Sequence, residues 1–259
     1  MGLVDQSNKV NFYDGQVRVK DATGKEVAKY AAKDYLDHVA EHVEPYSYLK
    51  YPFMKGRGWK GFVEGPETSV YRAIPLSRLN AADGMATPKA QEHYQKMYET
   101  LGGKPAHQTL AIHWARLVEL LYAAERWAEL ASDPEIRSDD LHRIPTATPT
   151  EGVGIVEAPR GTLTHHYTTD QNGIVVKANL IVGTTNNNAP ISMSVKKAAQ
   201  KVLAGKKEPE QGLLNMVEMA FRAYDPCLGC ATHSLLGEMP LEVTIRDQDG
   251  AVQQVVRRG

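Results

Sequence analysis

Cysteine is almost absent from this chain of 259 residues, which carries only Cys227 and Cys230. Two cysteines cannot build the disulfide framework that stabilises small secreted domains. The chain also lacks an apolar run of the roughly 20 residues that span a bilayer. Its first residues have neither the basic start nor the apolar core of a secretory signal. We therefore expect a cytoplasmic protein with no membrane span.

An excess of charge of either sign is also missing. The formal net charge is -1 at pH 7 and the sequence pI is near 6.8, which gives no electrostatic reason to expect a nucleic acid as partner. Hydrophobic residues make up 42% and charged residues 24%, values typical of an ordinary globular protein. A chain of this length buries a core of its own.

The apolar pattern predicts a mixed α+β fold in which helices predominate. Apolar residues recur at three- and four-residue spacings over residues 106–132, which predicts a long helix that must lie against other helices. Thr87-Pro88 predicts a helix start, with Pro at the first helical position. Further helices are predicted over residues 30–43, 191–204 and 209–224.

Strands are predicted at the periphery. Residues 8–30 alternate around Asp14-Gly15, which favours a hairpin, and residues 152–185 predict two strands joined at Asn172-Gly173. Residues 241–256 are typical of a closing hairpin, and residues 55–78 are interpreted as loops with short strands.

Both cysteines lie in one Cys-x-x-Cys, within DPCLGCATH at residues 225–233. Pro226 disfavours a helical conformation at Asp225, so the preceding helix should end there and present the cysteines on the turn that follows. Soft thiolates at this spacing suit nickel, iron, zinc or redox chemistry.

The motif alone leaves several alternatives open. A thioredoxin-type motif opens a helix after a strand, whereas this one closes a helix. A haem attachment site needs His directly after the second Cys. Half of a zinc site is possible, although His233 brings the ligands to three at most. Two buried structural cysteines are the simplest alternative.

The rest of the sequence narrows this choice. DPCLGCATH resembles the C-terminal DPCxxCxxH signature of nickel–iron hydrogenase large subunits. EAPRGTLTHHY at residues 157–167 and IVGTTNNN at residues 181–188 resemble two further signatures of that family. NAADGMATP, HWARLVELLYAAER and MVEMAFRAYDPC are similar to its cytoplasmic, methyl-viologen-reducing subgroup. The resemblance runs in order along essentially the whole chain.

The resemblance implies a helix-dominated, partial large-subunit hydrogenase fold with peripheral β-hairpins. It also implies nickel and iron, with cyanide and carbonyl ligands on the iron, and a nearby magnesium ion. Cys227 would be a terminal nickel ligand and Cys230 would bridge nickel and iron. His233 and the main-chain carbonyl of Leu180 would bind the magnesium; the simpler interpretation of His233 is a polar turn residue.

Arg160, Gly183 and Thr184 take roles from the same resemblance. Arg160 would lie over the open metal position, where a permanent positive charge can polarise bound hydrogen. A salt bridge to Glu157 or another carboxylate is the simpler interpretation. Gly183 and Thr184 would line the cyanide and carbonyl ligands, although the family commonly has Pro or Ala at the first of these positions. Gly161 would allow a tight backbone approach.

The sequence departs from the family in one respect. The family's first Cys-x-x-Cys, its proton-transferring glutamate and its magnesium-binding glutamate belong to a stretch that should come before Met1. We expect a truncated chain; the alternative is that the missing half is a separate polypeptide. In either case the chain should not turn over hydrogen alone. Residues 1–233 would form the C-terminal part of the large-subunit domain. Residues 234–259 would be a removable extension, cut by a maturation endopeptidase, or else an ordinary closing strand.

The expected activity of the complete protein is reversible oxidation of H2 to protons and electrons. The electrons would pass to an iron–sulfur small subunit, then to further electron-transfer subunits. The alternatives are a non-catalytic relative resembling the quinone-site subunit of respiratory complex I, which lacks the metal cysteines, or an inactive fragment.

Overall fold

The computed structural model describes residues 1–142, 144–205, 211–231 and 241–258. Its helices are α1 (Tyr35–His38), α2 (Pro75–Ala81), α3 (Pro88–Thr100), α4 (Ala111–Ala131), α5 (Asn188–Val202), α6 (Gln211–Arg222) and α7 (Leu228–Ala231). Its strands are β1 (Gly2–Val4), β2 (Gln16–Lys20), β3 (Glu26–Tyr30), β4 (Val39–Val43), β5 (Lys50–Met54), β6 (Glu151–Ala158), β7 (Gly161–Thr169), β8 (Val175–Ile181), β9 (Leu241–Arg246) and β10 (Val252–Arg258). The predicted α+β mixture is confirmed.

The strands form small antiparallel sheets, in the orders β1-β2-β3, β4-β5, β6-β7-β8 and β9-β10. The sheet β6-β7-β8 matters most for the site, because Ala158 pairs with Gly161 at its first hairpin. Arg160 therefore lies in the turn between β6 and β7. Tight sequential pairing of this kind needs no crossover connection.

The helical layer consists of α2, α3 and α4 around one apolar core that includes Ile74, Leu79, Met97 and Ile112. Thr87 was predicted to cap α3, but its hydroxyl donates to Glu125 of α4 at 2.6 Å. The same carboxylate accepts from the backbone N–H of Ala90 at 2.9 Å. Glu125 therefore satisfies the free N–H groups at the start of α3 and joins the two helices.

Several predicted elements agree with the structure, with ends shifted by a few residues: α3, α4, α5, α6, the β7–β8 turn at Gly173 and the hairpin β9-β10. The predicted helix over residues 30–43 is wrong beyond a short turn. After α1 the chain continues as β4, which pairs along its length with β5. The local pattern favours a helix, but pairing with β5 stabilises a strand instead. Residues 30–43 alone do not reveal this pairing.

Three strand and loop predictions also need correction. Residues 152–185 hold parts of three strands, because β6 and β7 form a hairpin that the sequence did not reveal. No hairpin forms around Gly15. Strand β2 pairs instead with β1, and Val4 lies opposite Gln16. Residues 55–78, interpreted as loops, contain the start of the buried helix α2.

A buried ionic cluster links α2, α4 and β6. Arg78, which is 2% exposed, donates to Glu119 Oε1 at 2.7 Å and to Glu157 Oε2 at 3.0 Å. It also donates to the main-chain oxygen of Ala158 at 2.6 Å. Burial lowers the pKa of Arg78, but Glu119 and Glu157 raise it by a larger amount. The pKa therefore lies above its usual value and the guanidinium stays charged. The cluster fixes the end of β6 just before the turn that carries Arg160.

Among the described residues, no helix combines the length and the apolar character that crossing a membrane requires.

Candidate metal centre

Three segments that are distant in sequence meet around Cys227. They are the β6–β7 turn with Arg160, the turn Thr184–Asn187 that precedes α5, and the loop between α6 and α7. Hydrogen bonds join each segment to another: Cys227 to Thr184, Arg160 to Asp225, and Asn187 to Arg160. Of the residues expected at a metal site, the structure therefore brings Arg160, Gly183, Thr184, Cys227 and Cys230 to one place.

The cysteine loop begins where α6 ends. Asp225 has a φ of 52°, a left-handed conformation that Asp tolerates better than most residues, and this reverses the chain after Tyr224. The prediction that Pro226 stops the helix before the cysteines is confirmed, since α6 ends at Arg222. The backbone N–H of Cys230 then donates to the carbonyl of Cys227 at 3.2 Å as α7 begins.

Cys227 and Cys230 are close enough to act on one ligand. Their Cα atoms are 5.4 Å apart and their sulfur atoms are paired as a disulfide. Cys230 is exposed and Cys227 is half-buried. The thiolate is the form of cysteine that binds metals, so the pair offers two adjacent soft donors once it is reduced.

Thr184 holds the cysteine loop in place through a hydrogen bond. Its buried hydroxyl accepts from the backbone N–H of Cys227 at 3.1 Å. A hydroxyl that accepts in this way keeps its own proton for donation. Thr184 is therefore placed to donate to a group bound beside the cysteines, as its expected role requires.

Arg160 contacts the cysteine loop directly. Its Nε donates to the main-chain oxygen of Asp225 at 2.7 Å and lies 3.2 Å from Oδ2 of the same residue. A salt bridge was the simpler interpretation of Arg160, and the structure contains one, although the partner is Asp225 and not Glu157. Glu157 pairs with Arg78 instead. The guanidinium, with 40% of its side chain exposed, is next to the cysteine loop.

Two glycines let the Arg160 turn and the Thr184 turn touch. Gly161 has a φ of 147°, and a Cβ there would lie 2.6 Å from the carbonyl oxygen of Ala73 and closer still to that of Gly183. A Cβ on Gly183 would lie 3.1 Å from the backbone nitrogen of Gly161. The expected tight approach at Gly161 is confirmed. The close contact also accounts for glycine at position 183, where the family commonly has a larger residue.

Asn187 ties these two turns together, and sequence reasoning did not single it out. Its side chain, only 1% exposed, donates to the carbonyl of Arg160 at 2.9 Å and to that of Gly183 at 3.2 Å. Its Oδ1 accepts from the backbone N–H of Ala73 at 2.9 Å. A run of three asparagines before a helix was the available signal, but three consecutive polar residues are more often a solvated turn.

The expected magnesium ligands are only partly described. Leu180 lies on β8 opposite His165, and His233 lies outside the described residues. The histidines of β7 serve other contacts: Nδ1 of His166 is 2.9 Å from the hydroxyl of Tyr35 and its Nε2 is 2.7 Å from Glu151.

The donor set fits part of a soft-metal site. Two cysteine sulfurs converge, and an arginine and a threonine hydroxyl lie beside them. Within the described ranges, no group of three or more His, Cys, Asp or Glu side chains could hold a metal ion. Further side-chain ligands of a metal bound by Cys227 and Cys230 would therefore lie outside the residues that the structure describes.

The family model for the nickel-dependent hydrogenases matches residues 2–233 of this chain. Among curated proteins, an iron-sulfur subunit of the F420-non-reducing hydrogenase from Archaeoglobus profundus is 52% identical over 257 residues, covering 99% of this chain and 53% of that protein. The NAD-reducing hydrogenase HoxS subunit beta of Cupriavidus necator is 42% identical, covering 96% of this chain and 50% of that protein.

Among solved structures, a NAD+-reducing [NiFe]-hydrogenase in the H2-reduced state matches with a TM-score of 0.82 and 39% identity. The match covers 90% of this chain and 50% of that one. The chain thus spans about half the length of the relatives it matches.

Proposed function

This chain belongs to the nickel-dependent hydrogenase family, and we propose that it supplies the C-terminal half of a nickel–iron catalytic subunit. In that role it contributes two of four thiolates to a centre that oxidises H2 reversibly to protons and electrons. The proposal rests on one observation: Thr184 and Arg160, from two other segments, both contact the loop that carries Cys227 and Cys230.

The protein side of this chemistry consists of ligation, positioning and charge. Cys227 and Cys230 would hold the metals. When bound, the nickel–iron pair with its cyanide and carbonyl ligands supplies the cleavage of hydrogen. Thr184 accepts from the backbone N–H of Cys227 and would donate its own hydroxyl proton to a ligand beside the cysteines. Gly183 keeps the adjacent backbone close to the Arg160 turn.

Arg160 contributes the positive charge of a planar guanidinium. A fixed guanidinium beside the metals stabilises negative charge that develops there, and it needs no reorganisation if it is already held in place. The bond from Arg160 Nε to the Asp225 carbonyl supports this, since it sets the guanidinium against the loop that presents Cys227.

Residues 234–259 are proposed as a removable extension, with a maturation endopeptidase cutting after His233. The family match supports that boundary, because it ends at residue 233. His233 and the carbonyl of Leu180 would bind magnesium. These assignments carry over from the DPCLGCATH motif and depend on the same family membership.

The proposed partners are an iron–sulfur small subunit that receives the electrons, and further electron-transfer subunits. The name of one relative, an NAD-reducing hydrogenase, supports electron transfer from such a subunit to a further acceptor. We keep the cytoplasm as the proposed location. With two cysteines, the chain alone should not turn over hydrogen.

The proposal is tested by anaerobic co-expression with the segment of the Archaeoglobus profundus relative that this chain does not match, in a host with nickel-site maturation enzymes. We expect nickel and iron in the purified complex, and neither metal retained by either half alone. Absence of nickel from a stable complex would refute the proposal.

A further inference from the structure

Helix α4 has apolar side chains on two opposite sides. The inner side packs into the core through Ile112, Ala115 and Val118, each no more than 2% exposed. The opposite side carries Leu110, Leu117, Leu120 and Trp127, which we call the outer face of α4. These side chains are 61%, 63%, 64% and 76% exposed. Large apolar residues on both sides are typical of a helix that is buried all round in its working state.

The spacing of the outer face suits a helical partner. Leu110 and Leu117 are seven residues apart, as are Leu120 and Trp127, and Leu117 and Leu120 are three apart. This is the alternation of three and four that brings side chains into one seam against another helix. The outer face of α4 therefore has the geometry of a helix–helix interface.

Arg116 adds a charge at the edge of this seam. Its side chain is half-buried, and its Nε has no hydrogen-bond partner among the described residues. Its two terminal nitrogens reach the carbonyl of Ala223 only at 3.4 and 3.5 Å. A partly buried guanidinium with an unused donor favours a carboxylate from whatever covers it.

A second copy of this chain fits the seam poorly. All three acidic residues of α4 are already engaged: Glu119 with Arg78, Glu125 with the start of α3, and Glu129 with Arg126. The α4 of a second copy therefore brings another Arg116 but no free carboxylate of its own. The occupant has to be a different helix that combines an apolar stripe with an acidic side chain.

The comparisons supply a source for that helix. The chain aligns over 90% of its length with a solved relative but covers only 50% of that relative. We propose that the outer face of α4 seats an apolar, acid-bearing helix from the half of the large subunit that this chain does not match. The proposal applies whether that half is part of the same polypeptide or a separate one. It depends on the family assignment above but not on hydrogenase activity.

The test is capture of the partner half in the absence of metal. The full chain, tagged, is co-expressed with the unmatched segment of the Archaeoglobus profundus relative in a host without maturation enzymes, and complexes are sized by light scattering. We expect a one-to-one complex. Leu117→Glu/Leu120→Glu should weaken capture by tenfold or more, roughly the loss of a central contact pair, and Arg116→Met by about tenfold.

The matched control is Ile136→Glu/Leu141→Glu, which changes two apolar residues that are at least as exposed (66% and 82%) but do not belong to the outer face, and it should leave capture intact. Circular dichroism checks that each variant folds. Undiminished capture by Leu117→Glu/Leu120→Glu would overturn the proposal. So would failure to capture the segment, or a homodimer that the same variant disperses. A complex that assembles but later fails to acquire nickel would count against the proposed function and leave this interface standing.

Discussion

Arg160 and Asp225 are joined twice, by a 2.7 Å hydrogen bond from Nε to the main-chain oxygen and by a 3.2 Å ion pair to Oδ2. The first contact depends on the backbone of the cysteine loop, and the second on an acidic side chain. Together they make the position of the guanidinium a consequence of how the chain reverses at Asp225, where φ is 52°.

This double contact predicts a separation between stability and turnover for Arg160→Lys. Both side chains are 40–47% exposed, so removing the ion pair should change the free energy of unfolding by less than about 1 kcal/mol. Lysine keeps the charge but not the planar fork that fixes its direction. In the assembled enzyme we expect normal nickel and iron content and loss of most H2 uptake. Wild-type uptake would refute the role of Arg160.

Only some residues of this site could be predicted from the sequence alone. Motif resemblance identified Arg160, Thr184 and both cysteines, because signatures record chemistry that tolerates little change. Asp225 was visible within the motif, yet its pairing with Arg160 depends on a contact across 65 residues. Asn187 and Arg78 were missed, since their partners lie on separate segments that only the fold brings together.

The same distinction between local and long-range contacts separates the correct from the incorrect secondary-structure predictions. Helices α3 and α4 follow from local periodicity and a Pro start, which act within a few residues. Strand β4 was mistaken for a helix because pairing with β5, which its own residues do not reveal, stabilises the extended conformation. In the same way, the sequence did not reveal that β6 is the partner of β7. Non-local pairing is not encoded in a short window of sequence.

Replacing either cysteine should abolish nickel retention. In the complex with the partner half, purified under reducing conditions, Cys227→Ser and Cys230→Ser each remove one soft donor and leave a harder hydroxyl. Metal analysis should find nickel reduced to background in both variants. Met216→Ser, at an exposed sulfur on α6, is the control and should retain nickel. Full nickel content in Cys230→Ser would contradict its assignment as a bridging ligand.

Arg78 should be among the most costly positions for stability. Arg78→Met leaves Glu119 and Glu157 buried without their cation, and burial already raises the pKa of the Glu157 carboxyl against the opposing effect of Arg78. We expect unfolding to become easier by about 3–5 kcal/mol in urea titrations. Arg126→Met, which removes a more exposed pair with Glu129, should cost less than about 1 kcal/mol.

A companion variant separates lost charge from lost shape at this cluster. Arg78→Met combined with Glu119→Gln and Glu157→Gln removes all three charges, so it should recover part of the stability lost by Arg78→Met alone. If the triple variant were no more stable than the single one, the cost would lie in side-chain shape and hydrogen bonding, and the ionic account would fail.

Lys104 should make stability depend on pH. Burial, followed by the charge of Lys20, lowers the pKa of its amine from 10.5 to about 7. The amine donates to Ala82 and, at 2.6 Å, to the hydroxyl of Tyr94. Between pH 7 and 10.5 the unfolded chain binds more protons at this site than the folded one, so stability from this group rises with pH and is lowest below pH 7.

The measurement is the difference in unfolding free energy between wild type and Lys104→Met, taken at a pH near 6.5 and again near 9.5. Wild type should gain more than about 1 kcal/mol on the variant over that interval. The exposed Lys197→Met serves as the control and should keep the wild-type pH profile. A constant difference between wild type and Lys104→Met would exclude a depressed pKa at Lys104.

Asn187→Asp tests whether the hydrogen bonds by which Asn187 joins the Arg160 turn to the Thr184 turn affect the site as well as the stability of the fold. Aspartate has the same shape but no N–H donors, so the carbonyls of Arg160 and Gly183 lose a partner. Each unpaired buried carbonyl costs about 1–3 kcal/mol. Asn188→Asp is the matched control, because this neighbour is equally buried and donates at 2.8 Å to Lys50, away from both turns.

Both variants should therefore unfold more easily, but only one should disturb the centre. In the assembled enzyme we expect Asn187→Asp to shift the infrared bands of the proposed carbonyl and cyanide ligands and to lower turnover per bound nickel. Asn188→Asp should leave both unchanged. Equal spectra and equal turnover per nickel in the two variants would mean that Asn187 acts on folding alone, since the Arg160 turn would then hold its position without the amide of Asn187.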